Sequence, residues 1–195
     1  MSVALAFIFG YLLGSIPFGL LLTRSAGLGD IRKIGSGNIG ATNVLRTGHK
    51  GLAAATLLLD GAKGAVAVLV ASHWGFNTAI LAGCAALIGH LFPIWLSFQG
   101  GKGVATSLGV LLALDWRIGL IACATWLIVA FVFRYSSLAA LVALALSPVF
   151  SWFLASRELA VVALFIAALV WIRHHQNIRR LLAGDETKIR LGKRG

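Results

Sequence analysis

Apolar residues run through this chain in stretches as long as a bilayer is thick, and that limits its fold more than any motif does. Residues 3–22 form one such stretch, and residues 51–72, interrupted by Asp60 and Lys63, form a second. From Gly64 to Gly101 there is no Asp, Glu, Lys or Arg, and His73-Trp74-Gly75-Phe76-Asn77 reads as a turn, so residues 78–96 make a third. The stretch 104–114 is short and ends at Asp115-Trp116-Arg117; 118–133, 138–154 and 159–172 follow. A hydrocarbon core of about 30 Å takes about 20 apolar residues per helix. The expected fold is therefore all-α: a polytopic membrane protein of about seven transmembrane helices, one domain over 1–195, its fourth helix starting below the membrane surface.

Composition excludes the main alternatives. The chain is 59% apolar and 12% charged, with a mean hydropathy of +0.92, whereas soluble domains run about 45–50% and about 25%. A disordered chain, a soluble nucleic-acid binder and an ordinary globular enzyme are all ruled out. The net charge of +11 would suit nucleic acid, but in a membrane chain such a surplus sets topology or attracts anionic headgroups. No nucleic-acid partner is expected. Cys84 and Cys123 lie inside apolar runs and read as small hydrophobes. The first run has no basic n-region or clean cleavage site and reads as a retained span.

The cations give direction. Arg24, Arg32, Lys33, Arg46 and Lys50 follow the first span, Lys102 the third and Arg134 the fifth; Arg173, Arg179, Arg180, Lys188, Arg190, Lys193 and Arg194 follow the seventh. Arg117 and Arg157 fall on the other side. The positive-inside rule puts the N-terminus outside and the C-terminus in the cytoplasm. Trp74, Trp95, Trp116, Trp152 and Trp171 sit near span ends as interfacial anchors, while Trp126 reads as packing.

Three polar segments then share the cytoplasmic face: Gly35-Ser36-Gly37-Asn38-Ile39-Gly40-Ala41-Thr42-Asn43-Val44-Leu45-Arg46, Gly100-Gly101-Lys102-Gly103, and His174-His175-Gln176-Asn177-Ile178-Arg179-Arg180. The first contains G-x-G-x-x-G, yet a dinucleotide fingerprint requires a strand before it and a βαβ unit; here a helical apolar run follows, and Asp60 sits within a span. The match is accidental, and neither Gly-rich loop completes a Walker motif. Gly35, Gly37 and Gly40 let backbone approach an anion, Ser36, Asn38, Thr42 and Asn43 add neutral hydrogen-bond partners, and Arg46 adds a bidentate phosphate clamp. Gly100, Gly101 and Gly103 place Lys102 at a helix start, where the dipole favours an anion. His174 and Asn177, three apart, share a helix face if the seventh span continues through them. Ile178, Leu181 and Leu182 form an apolar stripe opposite Arg179, as on an interfacial helix, and His175 and Arg180 read as solvated charge.

Elsewhere the plainer readings are preferred. His90 bonds a backbone carbonyl freed where Pro93 bends the third helix. Asp60 and Lys63 form an intramembrane ion pair, with proximity to a polar site as the minority reading. No Cys/His/Asp/Glu cluster has metal spacing and no Ser-His-Asp order stands out, so no metal or cofactor is expected. The residues by themselves describe a membrane protein whose cytoplasmic face binds phosphate and whose helices could hold a lipid tail. That leaves open an enzyme, a transporter or binder of phosphorylated anions or lipids, and an anchor on anionic lipid.

The three segments, the second preceded by Gly89-His90-Leu91-Phe92-Pro93 and running on through Val104-Ala105-Thr106, the third followed by Glu186-Thr187-Lys188-Ile189, resemble the three signatures of the PlsY family, the bacterial acyl-phosphate:glycerol-3-phosphate acyltransferases. The resemblance extends in order from residue 10 to 190. It implies transfer of a fatty acyl group from acyl phosphate to the 1-hydroxyl of glycerol 3-phosphate, giving lysophosphatidic acid and phosphate, the first acylation in phospholipid synthesis. It implies an enzyme of the bacterial inner membrane, working on membrane lipid precursors without a cofactor. The expected catalytic residues are Ser36, Arg46, Lys102, His174 and Asn177. The expected phosphate-binding residues are Gly35, Gly37, Asn38, Gly40, Thr42, Asn43, Gly100, Gly101, Gly103, Thr106 and Arg179. No His-x₄-Asp pair occurs, so the motif of acyl-CoA-using acyltransferases is absent. The base is either His174 or the departing phosphate.

Overall fold

The structure is a computed structural model, which describes residues 1–189; Arg190, Lys193 and Arg194, counted above among the C-terminal cations, lie outside the described residues. Among the described residues all regular structure is helical: α1 (Val3–Gly14), α2 (Phe18–Ser25), α3 (Ala41–Leu45), α4 (Lys50–Ser72), α5 (Phe76–Leu91), α6 (Val104–Leu114), α7 (Trp116–Phe133), α8 (Ser136–Leu154), α9 (Arg157–Arg173) and α10 (His175–Ala183), with short 3₁₀ turns at Ile31–Lys33 and Ile94–Leu96. Two compact units result, Met1–Gly119 and Leu120–Gly195. Five segments are long and apolar enough to cross a membrane, or six if α9 and α10, bent by 65°, count as one. Many of their large apolar side chains point outward, Phe131 at 76% and Phe153 at 77% exposure among them, which suits lipid rather than water as the surrounding medium.

The first expected span is not continuous. Pro17 has no N–H to continue the ladder and disfavours helical geometry at Ile16, so α1 ends at Gly14 and α2 starts at Phe18. The Ile16 carbonyl at this break accepts a hydrogen bond from Lys63 Nζ at 2.7 Å. Nor does Pro93 bend the third helix: α5 has ended at Leu91, and Pro93 starts the connection beyond it.

Glycines bring the helices of the first unit close. A Cβ on Gly10 would strike the backbone of Ala82 and one on Gly14 that of Ala86, so α1 and α5 run the same way at a separation only small residues allow. Gly83 lies against Val68 and His90 beside Asp60, which makes α4 antiparallel to α5. Gly101 lies on His90, and Val110 on Gly83, so α6 is antiparallel to α5 as well and runs with α4. The two meet where Gly109 abuts the Gly61 carbonyl. Thr106, in the first turn of α6, bonds Asp60, which lies ten residues into the 23-residue α4, about 15 Å along it. Residues 104–114 are short because α6 begins partway along its neighbour.

In the second unit α8 packs along α9, and Trp171 Nε1 donates to the Leu141 carbonyl at 3.2 Å. Pro148 interrupts the ladder of α8, and the Ser147 hydroxyl donates to the Leu144 carbonyl that Pro148 cannot serve (2.8 Å). α10 turns away from α9 at His174, and residues 185–189 return to the start of α8.

Candidate functional site

Asn43 organises the first loop. Only 2% exposed, its Nδ2 donates to the carbonyls of Ile31 (3.0 Å), Ile34 (2.9 Å) and Asn38 (2.8 Å), while its Oδ1 accepts from Ser36 N at 3.0 Å and Ser36 Oγ at 3.3 Å. Every polar atom of the amide is thus engaged within the loop, and Asn43 shapes the cradle from beneath. Asn38 Oδ1 accepts from Gly40 N at 2.8 Å, just ahead of α3. Gly35, at φ +56°, is where the chain needs glycine twice over: its backbone is left-handed, and a Cβ would sit 2.5 Å from Asn43 Oδ1 and 2.9 Å from Arg46 Cδ. Arg46, at the end of α3, therefore lies across the Gly35 backbone with an exposed side chain. Ser36, Gly37 and Thr42 are exposed on the same loop. Its apolar underside is a cluster of Leu20, Ile31, Ile39, Val44 and Ala53, on which Leu96 also packs.

Leu96 belongs to the segment leading into Gly100-Gly101-Lys102-Gly103, so one apolar cluster supports both loops. Gly100 N donates to Leu91 O and Gly101 N to His90 O, both at 3.1 Å. Gly101 is fully packed: a Cβ there would overlap the imidazole Nε2 of His90. Lys102, half-buried, follows, and Gly103 at φ +83° opens α6. This joins a cation to the positive end of an eleven-residue helix.

Behind the turn lies a buried charged cluster. Lys63 Nζ is 2.8 Å from Asp60 Oδ1, with side-chain exposures of 1% and 3%, so the expected ion pair is present. His90 Nδ1 lies 3.7 Å from the same carboxylate oxygen; its neighbour is an acidic side chain on α4, because α5 is not bent in the way that would free a carbonyl for it. Thr106, expected to meet phosphate, is fully buried and donates to the Asp60 carbonyl at 2.9 Å. It anchors α6 to α4. Asp60 and His90 are the residues sequence reasoning undervalued in this unit; the signal was Asp60 inside an apolar run, where charge is retained only with a partner.

Asp30 ties down two of the loop cations, bonding Arg32 at 2.6 Å and Arg24 at 3.0 Å. The Arg32 guanidinium holds the Asp30 carboxyl well below the usual range against the opposing effect of burial, with Arg24 adding to it.

In the second unit, His174 is 3% exposed and its Nδ1 lies 2.8 Å from the Val170 carbonyl. A carbonyl can only accept, so Nδ1 carries the proton there, and the tautomer this selects for the neutral form has its lone pair on Nε2. Asn177, 5% exposed, donates Nδ2 to Glu186 Oε1 at 2.7 Å. Arg180, read above as solvated, donates Nε to Glu186 Oε2 at 2.6 Å, and Ser137 Oγ donates to Oε1 at 2.9 Å. Glu186, only 6% exposed in its side chain, is thus the hub of this unit. Sequence reasoning gave it no part, although it stands in the third signature at Glu186-Thr187-Lys188-Ile189. Burial pushes its carboxyl up, and hydrogen bonds from Asn177, Arg180 and Ser137 outweigh that, leaving it below the ordinary value. The strand of chain after it is pinned further by Ile189 N to Arg134 O at 2.6 Å and by Lys188 over the Tyr135 ring. Arg179 and His175 are exposed, as is Leu182 at 85%, which suits an interfacial helix. No group of three or more potential metal ligands occurs among the described residues.

Residues 4–184 match the profile of the family described as glycerol-3-phosphate acyltransferase. A protein of that name from Mesorhizobium japonicum is 64% identical over 188 residues, 96% of each chain. Among solved structures, the chain resembles PlsY, an integral membrane glycerol 3-phosphate acyltransferase. The glycerol 3-phosphate form superposes with a TM-score of 0.92 at 37% identity, covering 97% of this chain and 96% of that one. The lysophosphatidic acid form gives 0.89 at 36%, covering 96% and 95%.

Proposed function

The chain belongs to the glycerol-3-phosphate acyltransferase family, and from that premise we propose which donor it uses, which residues serve the reaction and how it lies in the membrane. It is an integral membrane enzyme that acylates glycerol 3-phosphate to lysophosphatidic acid, an early step of phospholipid synthesis. The transporter and anchor readings give way to this one. The donor is an acyl phosphate. The 1-hydroxyl oxygen attacks the acyl carbon, an ester C–O bond forms, the bond from acyl carbon to phosphate oxygen breaks, and the hydroxyl proton passes to the departing phosphate or to His174.

Such a donor is already activated, so the enzyme's work is to align two anions and neutralise charge that develops on the carbonyl and the leaving phosphate. Arg46 and Lys102 offset the repulsion between the phosphates. Ser36, Asn38 and Thr42, with the backbone at Gly35 and Gly103, meet phosphoryl oxygens, while Gly37, Gly40, Gly100 and Gly101, whose amides donate to Ile34 O, Asn38 Oδ1, Leu91 O and His90 O, shape the two loops around them. Asn43 and Thr106 act from underneath. His174, Asn177 and Arg179 belong to the same reaction because their signature accompanies the other two. One observation carries this reading: a single compact unit holds both cationic loops, and Leu96 packs into the core of the first while leading into the second.

The two units form one acyltransferase domain, a reading supported by a family match that runs through both. The chain crosses the membrane seven times, counting α6 and the bent α9–α10 pair, with the N-terminus outside. The cations after α2, α5 and α9 then face the cytoplasm of a bacterial inner membrane, as the positive-inside rule requires.

The test of the donor is direct. Purified protein given palmitoyl phosphate and glycerol 3-phosphate should release lysophosphatidate and phosphate in equal amounts, and palmitoyl-CoA should not replace the donor. Equal turnover with the thioester would overturn the assignment. The base is resolved separately. If the departing phosphate takes the proton, His174→Ala keeps kcat within about tenfold; a loss of about 10²–10⁴ identifies His174 Nε2 as a general base.

A further inference from the structure

The Asp60–Lys63–His90 cluster is buried, costly and outside the set of residues expected to touch substrate. A charged group within an apolar span persists only where something holds it there, and replacing a buried ion pair with apolar residues often stabilises a protein. Stability alone is therefore a weak reason for these three residues.

Their contacts supply a better one. Asp60 and Lys63 pair at 2.8 Å, and Lys63 is fixed in turn by the Ile16 carbonyl at the break between α1 and α2. The carboxylate, held from that side, faces His90 Nδ1 at 3.7 Å. The opposite edge of the imidazole, Nε2, lies against the backbone of Gly101 so closely that a Cβ there could not fit. The backbone carbonyl of Asp60 meanwhile accepts from Thr106 in the first turn of α6. Asp60 thus reaches the Gly100-Gly101-Lys102-Gly103 turn at both ends, by the 3.7 Å electrostatic contact with the His90 ring, longer than a hydrogen bond, on the entering side and by the Thr106 hydrogen bond on the leaving side.

We infer that Asp60 and His90 are positioning residues for Lys102, with the His90 ring serving as the platform on which the Gly101 backbone, and hence the lysine beside it, is set. This rests on the proposed role of Lys102 in neutralising phosphate. Lys63 anchors the carboxylate and neutralises it; neither Asp60 nor His90 touches substrate. A misplacement of about 1 Å in a substrate-aligning group can cost about 10²-fold in rate, so a tether two residues removed from the cation is enough to matter.

The experiment is a double-mutant cycle on kcat/KM for glycerol 3-phosphate, with thermal unfolding of each purified variant in detergent. His90→Phe keeps a ring under Gly101, cuts the tether to Asp60 and leaves Asp60 paired with Lys63. It should unfold close to the parent temperature yet lose about tenfold or more in kcat/KM. Gly101→Ala, which keeps the tether and breaks the platform contact, should lose at least as much. In a Lys102→Ala background, His90→Phe should cost nothing further, because a residue acting through Lys102 has nothing left to position. Full activity in His90→Phe, or a loss that adds in full to that of Lys102→Ala, overturns the inference while the Lys102 assignment stands. Normal activity in Lys102→Ala alone overturns that assignment instead. Should His90→Phe fail to fold, Asp60→Asn, which keeps the side chain's size and a contact for Lys63, takes its place in the same cycle with the same expected non-additivity.

Discussion

Lys102→Ala should lower kcat/KM for glycerol 3-phosphate by about 10²–10³, the range found when one preorganised donor to developing negative charge is removed, while membrane insertion and unfolding temperature stay near the parent's. The expectation follows from position. Lys102 adjoins the N-terminal end of α6, between Gly101, pressed on His90, and Gly103, whose backbone is left-handed. The positive end of α6 favours an anion there as a lysine does, and with the proposed acyl-phosphate donor two phosphates brought together need that charge most as the leaving group gains its own. Truncation removes the charge without disturbing the glycines that shape the turn. The check is initial-rate kinetics with acyl phosphate saturating. Turnover within about twofold of the parent would remove Lys102 from the anion clamp. Arg46→Ala should behave in the same sense, since Arg46 lies exposed across the Gly35 backbone.

Glu186→Ala should destabilise the second unit by about 2–4 kcal/mol. Three donors converge on this carboxylate, from Ser137 on α8, Asn177 and Arg180 on α10. Removing it leaves a hydroxyl, an amide and a guanidinium without their acceptor, and frees the chain that returns to Arg134. The measurement is thermal unfolding in detergent, and Glu186→Gln, which keeps one acceptor oxygen, should fall between parent and alanine variant. A pH test has a definite sign. The Glu186 carboxyl lies below its ordinary value of 4.5 in the folded protein, so its contribution is present above that pH and is lost as pH falls through the lower folded value. The parent should lose stability on acidification in that window and Glu186→Gln should lose less; identical acid profiles would show that the carboxylate contributes nothing there.

Much of this molecule was legible in its sequence. Long apolar runs can satisfy their backbone in lipid only as helices, so the all-helical membrane architecture followed from spacing alone, and the expected Asp60–Lys63 pair is present because an i,i+3 spacing on one helix already places two charges together. The three signatures were equally plain and led to the family. Where reasoning along the chain failed, the cause was contact between segments distant in sequence. Pro17 ends a helix within what hydropathy reads as one continuous run, and the break matters because Lys63 from another helix fills it. Thr106 and Asn43 are polar residues in conspicuous motifs, and nothing local says that their hydrogen bonds point inward, to Asp60 and to three loop carbonyls.

Glu186 and His90 make the division clearest. Hydropathy, charge and spacing report what a residue needs from its surroundings: a carboxylate among apolar neighbours needs donors, and a glycine invites close approach. Which residues meet those needs depends on how helices stack, and that is set by small residues such as Gly10, Gly61 and Gly109 letting backbones touch. The linear chain thus determined the solvent this protein lives in, its helical class and the signatures that mark its family. Only packing in three dimensions decided which polar groups face a ligand and which hold the others in place, because burial and orientation belong to the folded contacts and not to any residue alone.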